Sequence, residues 1–232
     1  MKKRYKVIGF DADDTLWVNE PYFHETEEKF VELLSDFGSS EFISKELYKT
    51  EMSNLSDYGY GAKGFMLSMI ETALRLSGEK DSRKIINEII ILGKGLINKP
   101  VVLLDGVESI LKKLIEFGYL LIIATKGDLK DQERKLSKSG LTEYFHHIEI
   151  MSDKREINYL NLLSNLDITS ADFLMIGNSL RSDILPVLKI GGSSIHIPFH
   201  TNWIHEKAEK PVEDDSFMEI TTLPELEKIL CI

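Results

Sequence analysis

The rhythm of apolar positions along the chain changes twice. Tyr5 to Phe10 is a short apolar run with β-branched Val7 and Ile8, the pattern of a buried strand. It breaks off at Asp11-Ala12-Asp13-Asp14-Thr15. Three carboxylates are unfavourable inside a strand, so they belong to the loop beyond its end. From Pro21 to Lys99 the apolar residues recur at helical spacing: Phe23, Phe30, Leu33, Leu34 and Phe37, then Phe65, Leu67, Met69, Ile70, Ala73, Leu74 and Leu76. Gly38 and Gly78 read as helix stops, and Pro100 closes the stretch. Ile85-Ile86 and Ile89 to Leu92 could pass for β, but Lys84, Asn87, Glu88 and Lys94 set a helical period.

Beyond Pro100 helix and strand alternate. Val107 to Phe117 is amphipathic and stops at Gly118, and Tyr119 to Ala124 is a continuous apolar run. Asp128 to Ser139 reads as a polar helix, Ile148 to Met151 as a short strand, and Glu156 to Leu166 as a helix. Phe173 to Ile176 is a further strand, followed by a helix from about Ser182 to Lys189. Ser193 to Ile197 and Phe217 to Ile220 can add two more strands. This alternation predicts an α/β fold with a mainly parallel sheet covered on both faces. The helical stretch is an insertion, giving a core of residues 1–18 and 100–232 and a helical domain of residues 19–99.

Composition narrows the class. Of 232 residues, 43% are hydrophobic and 28% charged, which suits a water-soluble globular chain. No apolar run approaches the roughly 18 residues that cross a bilayer. Met1 to Arg4 is basic, but the apolar run after it is too short for a signal-peptide core, so the expected location is the cytoplasm. The single cysteine, Cys231, cannot form an internal disulfide and reads as inert. A net charge of −10 opposes binding to nucleic acids and anionic membranes. A small anionic substrate stays possible, because a metal ion and a lysine can reverse the field inside one pocket.

In an open α/β sheet, function gathers beyond the carboxyl ends of the strands. Applied here, that rule selects Asp11 and Asp13, then Thr125-Lys126-Gly127-Asp128, then Ser152-Asp153-Lys154, then Gly177-Asn178-Ser179 with Asp183. Such a set suits phosphoryl chemistry. Mg²⁺ prefers oxygen ligands and binds through one or two carboxylates, waters and a substrate phosphate. A carboxylate beside it can attack phosphorus, and a second carboxyl can protonate the leaving oxygen. Lys154 can neutralise the developing charge, with Thr125 and Lys126 also holding phosphoryl oxygens.

At these residues the sequence closely resembles the haloacid-dehalogenase-like hydrolase superfamily. The four motifs are Phe10-Asp11-Ala12-Asp13-Asp14-Thr15-Leu16, Thr125, Lys154, and Gly177-Asn178-Ser179 with Asp183. They occur in the superfamily's order and strand context. The resemblance implies a doubly wound, Rossmann-like core with a mobile cap inserted between the first and second motifs, where residues 19–99 fall. It implies Asp11 as nucleophile and metal ligand, and Asp13 as general acid/base with its backbone carbonyl on the metal. Thr125 and Lys154 would hold the phosphoryl group and the nucleophile, with Asn178 and Asp183 completing a Mg²⁺ site. Phosphate-cleaving members carry the acid at Asp13, whereas members that attack carbon in haloacids lack it. One departure is Asn178, where the superfamily usually has aspartate. Asparagine offers a carbonyl oxygen without charge, which leaves the metal either more weakly held or more dependent on Asp183.

The resemblance thus implies a magnesium-dependent phosphatase acting on a small phosphorylated metabolite through an aspartyl-phosphate. Phosphoryl transfer between positions of a sugar, or a non-catalytic binding protein on the same fold, are the alternatives. Taken singly, each rim residue has a plainer reading: an Asp-rich turn is usually solvated, Thr125 is a helix cap, and Lys154 is surface. Gly59-Tyr60-Gly61-Ala62-Lys63-Gly64 matches a dinucleotide-binding pattern, but no strand precedes it, so it reads as a loop between helices. Tyr58, Tyr60 and Lys63 there are candidates for substrate selection. His146-His147 would point to opposite faces of a strand and make a poor metal pair. The sequence is silent on oligomeric state.

Overall fold

The computed structural model describes residues 5–78, 82–201, 203–206, 208–211 and 214–232. The basic segment Met1 to Arg4 lies outside the described residues. The chain folds as two compact units. One comprises the described residues within 5–20, 101–126 and 132–232; the other comprises those within 21–100 and 127–131.

The first unit is built on a sheet with the strand order β3-β2-β1-β4-β5-β6, every pairing parallel. Its strands are β1 (Val7–Phe10), β2 (Leu120–Lys126), β3 (His147–Met151), β4 (Phe173–Gly177), β5 (Ser193–His196) and β6 (Phe217–Glu219). Strand β1 is central and buried along its whole length. Its side chains alternate between two apolar layers, as a pleated strand requires. Ile8 and Phe10 join Leu121, Ile123, Leu174 and Ile176 under α5 (Val107–Glu116), which contributes Ile110, Leu111 and Leu114. Val7 joins Ile122, Ala124, Phe173 and Met175 under α7 (Glu156–Asn165), which contributes Tyr159, Leu162 and Leu163. A sheet filled on both faces in this way is doubly wound. The chain reverses its winding direction between β1 and β4, which opens a crevice at their carboxyl ends.

One strand runs further than its apolar run suggested, and one helix is shorter than expected. Strand β2 includes Thr125 and Lys126, because each pairs onto β3, opposite Ile150 and Met151. The expected helix from Ser182 to Lys189 is instead a π-helical turn, Leu180–Ile184, leading into a short α8 (Leu185–Lys189). Pro186 in the first turn of α8 cannot donate to the preceding turn, which favours a break there.

The second unit is helical: α1 (Glu20–Leu33), α2 (Ser40–Tyr58), α3 (Ala62–Ser77) and α4 (Ser82–Ile97). Phe30, Leu34, Ile43, Leu47, Phe65, Met69 and Ile89 form its core. The run Ile85 to Leu92 is helical, as its polar period predicted. The glycine-rich segment is shorter as a loop than the sequence suggested. Only Gly59 to Gly61 connect α2 to α3, with Gly59 and Gly61 at φ of 67° and 111°, while Ala62, Lys63 and Gly64 already form the first turn of α3.

Candidate active site

The register of the sheet assembles the site. Phe10 ends β1 opposite Ile123 and Ile176, so Asp11 emerges between β2 and β4. Its backbone N–H still donates to Ile176 at 2.9 Å, which fixes where the side chain starts. Lys154, in the turn after β3, is buried and reaches two carboxylates. Its Nζ lies 2.5 Å from Asp11 Oδ1 and 2.6 Å from Asp183 Oδ1. Asp183 is 1% exposed and Asp11 is 7% exposed.

The π-helical turn sets Asp183. Ser179 at its start accepts the N–H of Ser182 at 3.0 Å, and Asp183 Oδ2 accepts the N–H of Ser179 at 3.0 Å. A Cβ on Gly177 would lie 2.3 Å from Asp183 Oδ2, so only glycine lets the carboxylate lie against β4. Thr15 ties the first loop to this turn. Its hydroxyl contacts Asp11 Oδ2 at 3.2 Å and Asn178 Oδ1 at 3.4 Å, and it accepts the Asn178 N–H at 3.1 Å.

One ammonium between two buried carboxylates leaves an excess negative charge. Burial pushes the Asp11 carboxyl up to about 7, with the Lys154 charge opposing and Asp183 reinforcing that rise. For Lys154 burial acts to remove the proton, but Asp11 and Asp183 outweigh it and hold the ammonium well above its ordinary range. The cluster is therefore short of positive charge at neutral pH.

Asp13 stands in the same loop with both oxygens engaged. Trp17 Nε1 donates to Oδ1 at 2.7 Å, Gln132 Nε2 to Oδ2 at 2.8 Å, and Lys135 Nζ lies 2.6 and 2.7 Å from the two oxygens. Asp14, with φ of 60°, accepts the N–H groups of Asn19 at 2.8 Å and Glu20 at 2.9 Å, anchoring the chain where α1 begins.

The structure thus brings Asp11, Lys154, Asp183 and Asn178 together, with Asp13 two residues from Asp11. Thr125 is buried in the penultimate position of β2. Lys126, the last residue of β2, pairs with the carboxylate of Glu206 and donates to Ser182 Oγ at 2.8 Å. Tyr58, Tyr60 and Lys63 lie in the helical unit. Tyr58 OH donates to Glu71 at 2.9 Å, Tyr60 is half-buried in the turn after α2, and Lys63 pairs with Asp128 at 2.8 Å.

Sequence reasoning missed four residues around this rim: Gln132, Lys135, His196 and Glu206. Burial alone would raise the Glu206 carboxyl, but Lys126, Ser179 and Ser182 outweigh it and hold it at about 2. His196, at the end of β5, links the Asn178 carbonyl at 3.0 Å to Glu219 at 2.9 Å. The spacing of Gln132 and Lys135 puts them on one helix face, but nothing in the local pattern marks that face as buried.

Oxygen donors dominate the cluster, with carboxylates from Asp11 and Asp183 and an amide oxygen from Asn178. That donor chemistry fits Mg²⁺, which needs only one or two carboxylates. Among the described residues there is no group of three or more His, Cys, Asp or Glu able to hold a metal. No described helix is long and apolar enough to cross a membrane.

Fold and site together define a doubly wound α/β protein with a buried lysine–carboxylate cluster at its strand ends. The chain belongs to the haloacid dehalogenase-like hydrolases, whose family model matches residues 5–191. A haloacid dehalogenase-like family hydrolase from Xanthomonas campestris is similar over 99% of this chain and 92% of its own, at 35% identity and a TM-score of 0.88. A predicted phosphoglycolate phosphatase from Haemophilus somnus 129PT shares the fold at 16% identity, with 99% of both chains covered and a TM-score of 0.64. A dehalogenase with an intermediate complex does so at 14% identity, with 100% of both chains covered and a TM-score of 0.66. No curated protein matches significantly. The solved structures similar in fold thus include both phosphatases and dehalogenases.

Proposed function

We propose that this hydrolase is a magnesium-dependent phosphatase that cleaves a small phosphate monoester through an aspartyl-phosphate on Asp11. The observation that carries the reading is the pair of carboxyl groups in one loop. Asp11 is buried against Lys154, and Asp13 stands two residues on with its own set of donors. Hydrolysis of a phosphate ester has work for both; displacement at carbon has work for the first alone.

In this reading Asp13 enters the first step as the protonated acid; Asp11 attacks phosphorus, and the ester oxygen departs with the proton that Asp13 gives up. Asp13 then removes a proton from the water that attacks the phosphorus of the acyl phosphate, and Asp11 is restored. Lys154 stays protonated throughout, supported by the strong upward push on its ammonium. It holds Asp11 in line and neutralises charge on the phosphoryl oxygens. Thr125, at the end of β2, offers them a hydroxyl. Asp11, Asn178, Asp183 and the Asp13 backbone carbonyl would hold Mg²⁺. When bound, the ion would supply the positive charge that the cluster lacks. Residues 19–99 act as the cap, with Tyr58, Tyr60 and Lys63 as its substrate-selecting residues.

The test is turnover of a broad panel of phosphate monoesters with magnesium and with chelator, in wild type and Asp11→Asn. Magnesium-dependent phosphate release that Asp11→Asn abolishes supports the proposal. No release by the wild type across the panel, or release of halide from a haloacid instead, overturns it.

A further inference from the structure

Asp13 is held in a way that its proposed task alone does not demand. Four contacts converge on its carboxylate, and three come from α6 (Leu129–Ser139), through Gln132 and Lys135. These residues are three apart, so they share one face of the helix. Both are buried, while Lys130, Glu133 and Lys138 on the same helix are exposed.

Each is costly as a purely structural choice. A buried ammonium loses its hydration, and Asp13 supplies the countercharge for Lys135. Lys135 Nζ also donates to Asn19 Oδ1 at 3.1 Å, which leaves it little freedom to turn. Gln132 spends its amide N–H groups on Asp13 and on the Lys126 carbonyl at 2.9 Å. Its own Oε1 is buried and has no hydrogen-bond partner among the described residues. A buried acceptor left without a donor typically costs about 1–3 kcal/mol. An apolar side chain would avoid that cost, so Gln132 stands where it does for what its N–H groups hold.

We propose that Gln132 and Lys135 are positioning residues for Asp13. From one face of α6 they fix the direction of its carboxyl, and so set how well it delivers a proton to the leaving oxygen and takes one from water. Trp17 Nε1 completes the cradle from within the same loop. This inference rests on the acid/base reading of Asp13.

Leaving-group dependence tests it. An alkyl phosphate expels an alkoxide that needs a proton, whereas p-nitrophenyl phosphate expels a stable phenolate that does not. Gln132→Met and Lys135→Met are compared with wild type on both esters with magnesium, in the Asp13 and Asp13→Asn backgrounds. The ratio of alkyl to aryl kcat should fall about 10-fold for Gln132→Met and about 100-fold for Lys135→Met, part of the roughly 10²–10⁴-fold that acid catalysis as a whole contributes. KM should move little, and Lys135→Arg should recover part of the ratio. In the Asp13→Asn background neither substitution should lower the ratio further. Equal losses on both esters, or the same loss with Asp13 absent, overturn the inference. If Lys135→Met fails to fold, Gln132→Met decides, since it removes the unsatisfied acceptor and should keep the fold. If Asp13→Asn itself leaves the ratio unchanged, the acid/base reading falls and takes the inference with it. If Asp13→Asn lowers the ratio and the α6 variants do not, only the inference falls.

Discussion

Replacing Lys154 by methionine keeps the length of the side chain to within one atom and removes its charge. The two carboxylate oxygens it bridges lie within 2.6 Å of Nζ, so they stand at most about 5 Å apart. Two unit charges at that separation repel by about 3 kcal/mol at an effective dielectric of about 20. Breaking a buried ion pair typically costs about 3–5 kcal/mol, which agrees in size. For a chain of 232 residues, 1 kcal/mol corresponds to about 2–4 °C in Tm. The variant should therefore melt about 10 °C below wild type in chelator at about pH 8. The deficit should also depend on pH. Asp11 already sits at about 7 against an ordinary 3.8, and removing the ammonium raises it further. A raised carboxyl lets the folded protein hold a proton that the unfolded chain has released. Stability is then lost as pH rises through the folded pKa and regained toward the unfolded value. Over this range the deficit should be greatest at about pH 8, shrink as pH falls to about 7, and stay nearly constant from there to about pH 5, where Asp11 is protonated in both proteins. Thermal unfolding followed by circular dichroism at several pH values measures it. A Tm deficit below about 3 °C at pH 8, or one independent of pH, would refute the charge argument.

Three further outcomes follow from the same contacts. Gly177→Ala places a methyl 2.3 Å from Asp183 Oδ2, so chemical denaturation should show a loss of at least about 2 kcal/mol, with turnover reduced. A variant as stable as wild type would mean that the turn is loose. Glu206 is held at about 2, so its ion pair stabilises the fold above its ordinary 4.5 and is lost as pH falls toward 2. Glu206→Gln should cost about 2–3 kcal/mol at neutral pH, with the gap to wild type closing in acid; a constant gap would contradict this. Magnesium should raise the Tm of wild type more at about pH 8 than at about pH 6, because protons on Asp11 compete with the ion. Equal shifts at both pH values would argue against Asp11 as a ligand.

Much of this site was legible in the sequence because parallel strands place their loops predictably. Asp11, Thr125, Lys154 and Asp183 each follow or end an apolar run, and the sheet order brings those ends side by side. What stayed hidden depends on side chains reaching across the fold. Gln132 and Lys135 meet Asp13 across 119 and 122 residues of sequence, and on a helix they look like ordinary surface positions. Glu206 sits in a polar stretch with no period to mark it, and its three partners lie on β2 and the π-helical turn. The turn itself was read as helix because its composition is helical. Its wider winding comes from the contacts of Asp183 with Lys154 and Ser179, which local pattern does not encode. In the helical unit, Gly59-Tyr60-Gly61 reads as a loop in the sequence and is one, whereas Ala62 to Gly64 follow α3 because its apolar face begins there.

The central claim is that Asp11 takes up a phosphoryl group and not an alkyl one. Turnover in ¹⁸O-labelled water, followed by mass analysis of the released phosphate and of the peptide carrying Asp11, tests it directly. Water attacking phosphorus puts the label in phosphate and leaves the Asp11 carboxylate unlabelled, which is the predicted result. Label accumulating in Asp11 would mean that water attacks the carboxyl carbon of an ester intermediate, and would contradict the account.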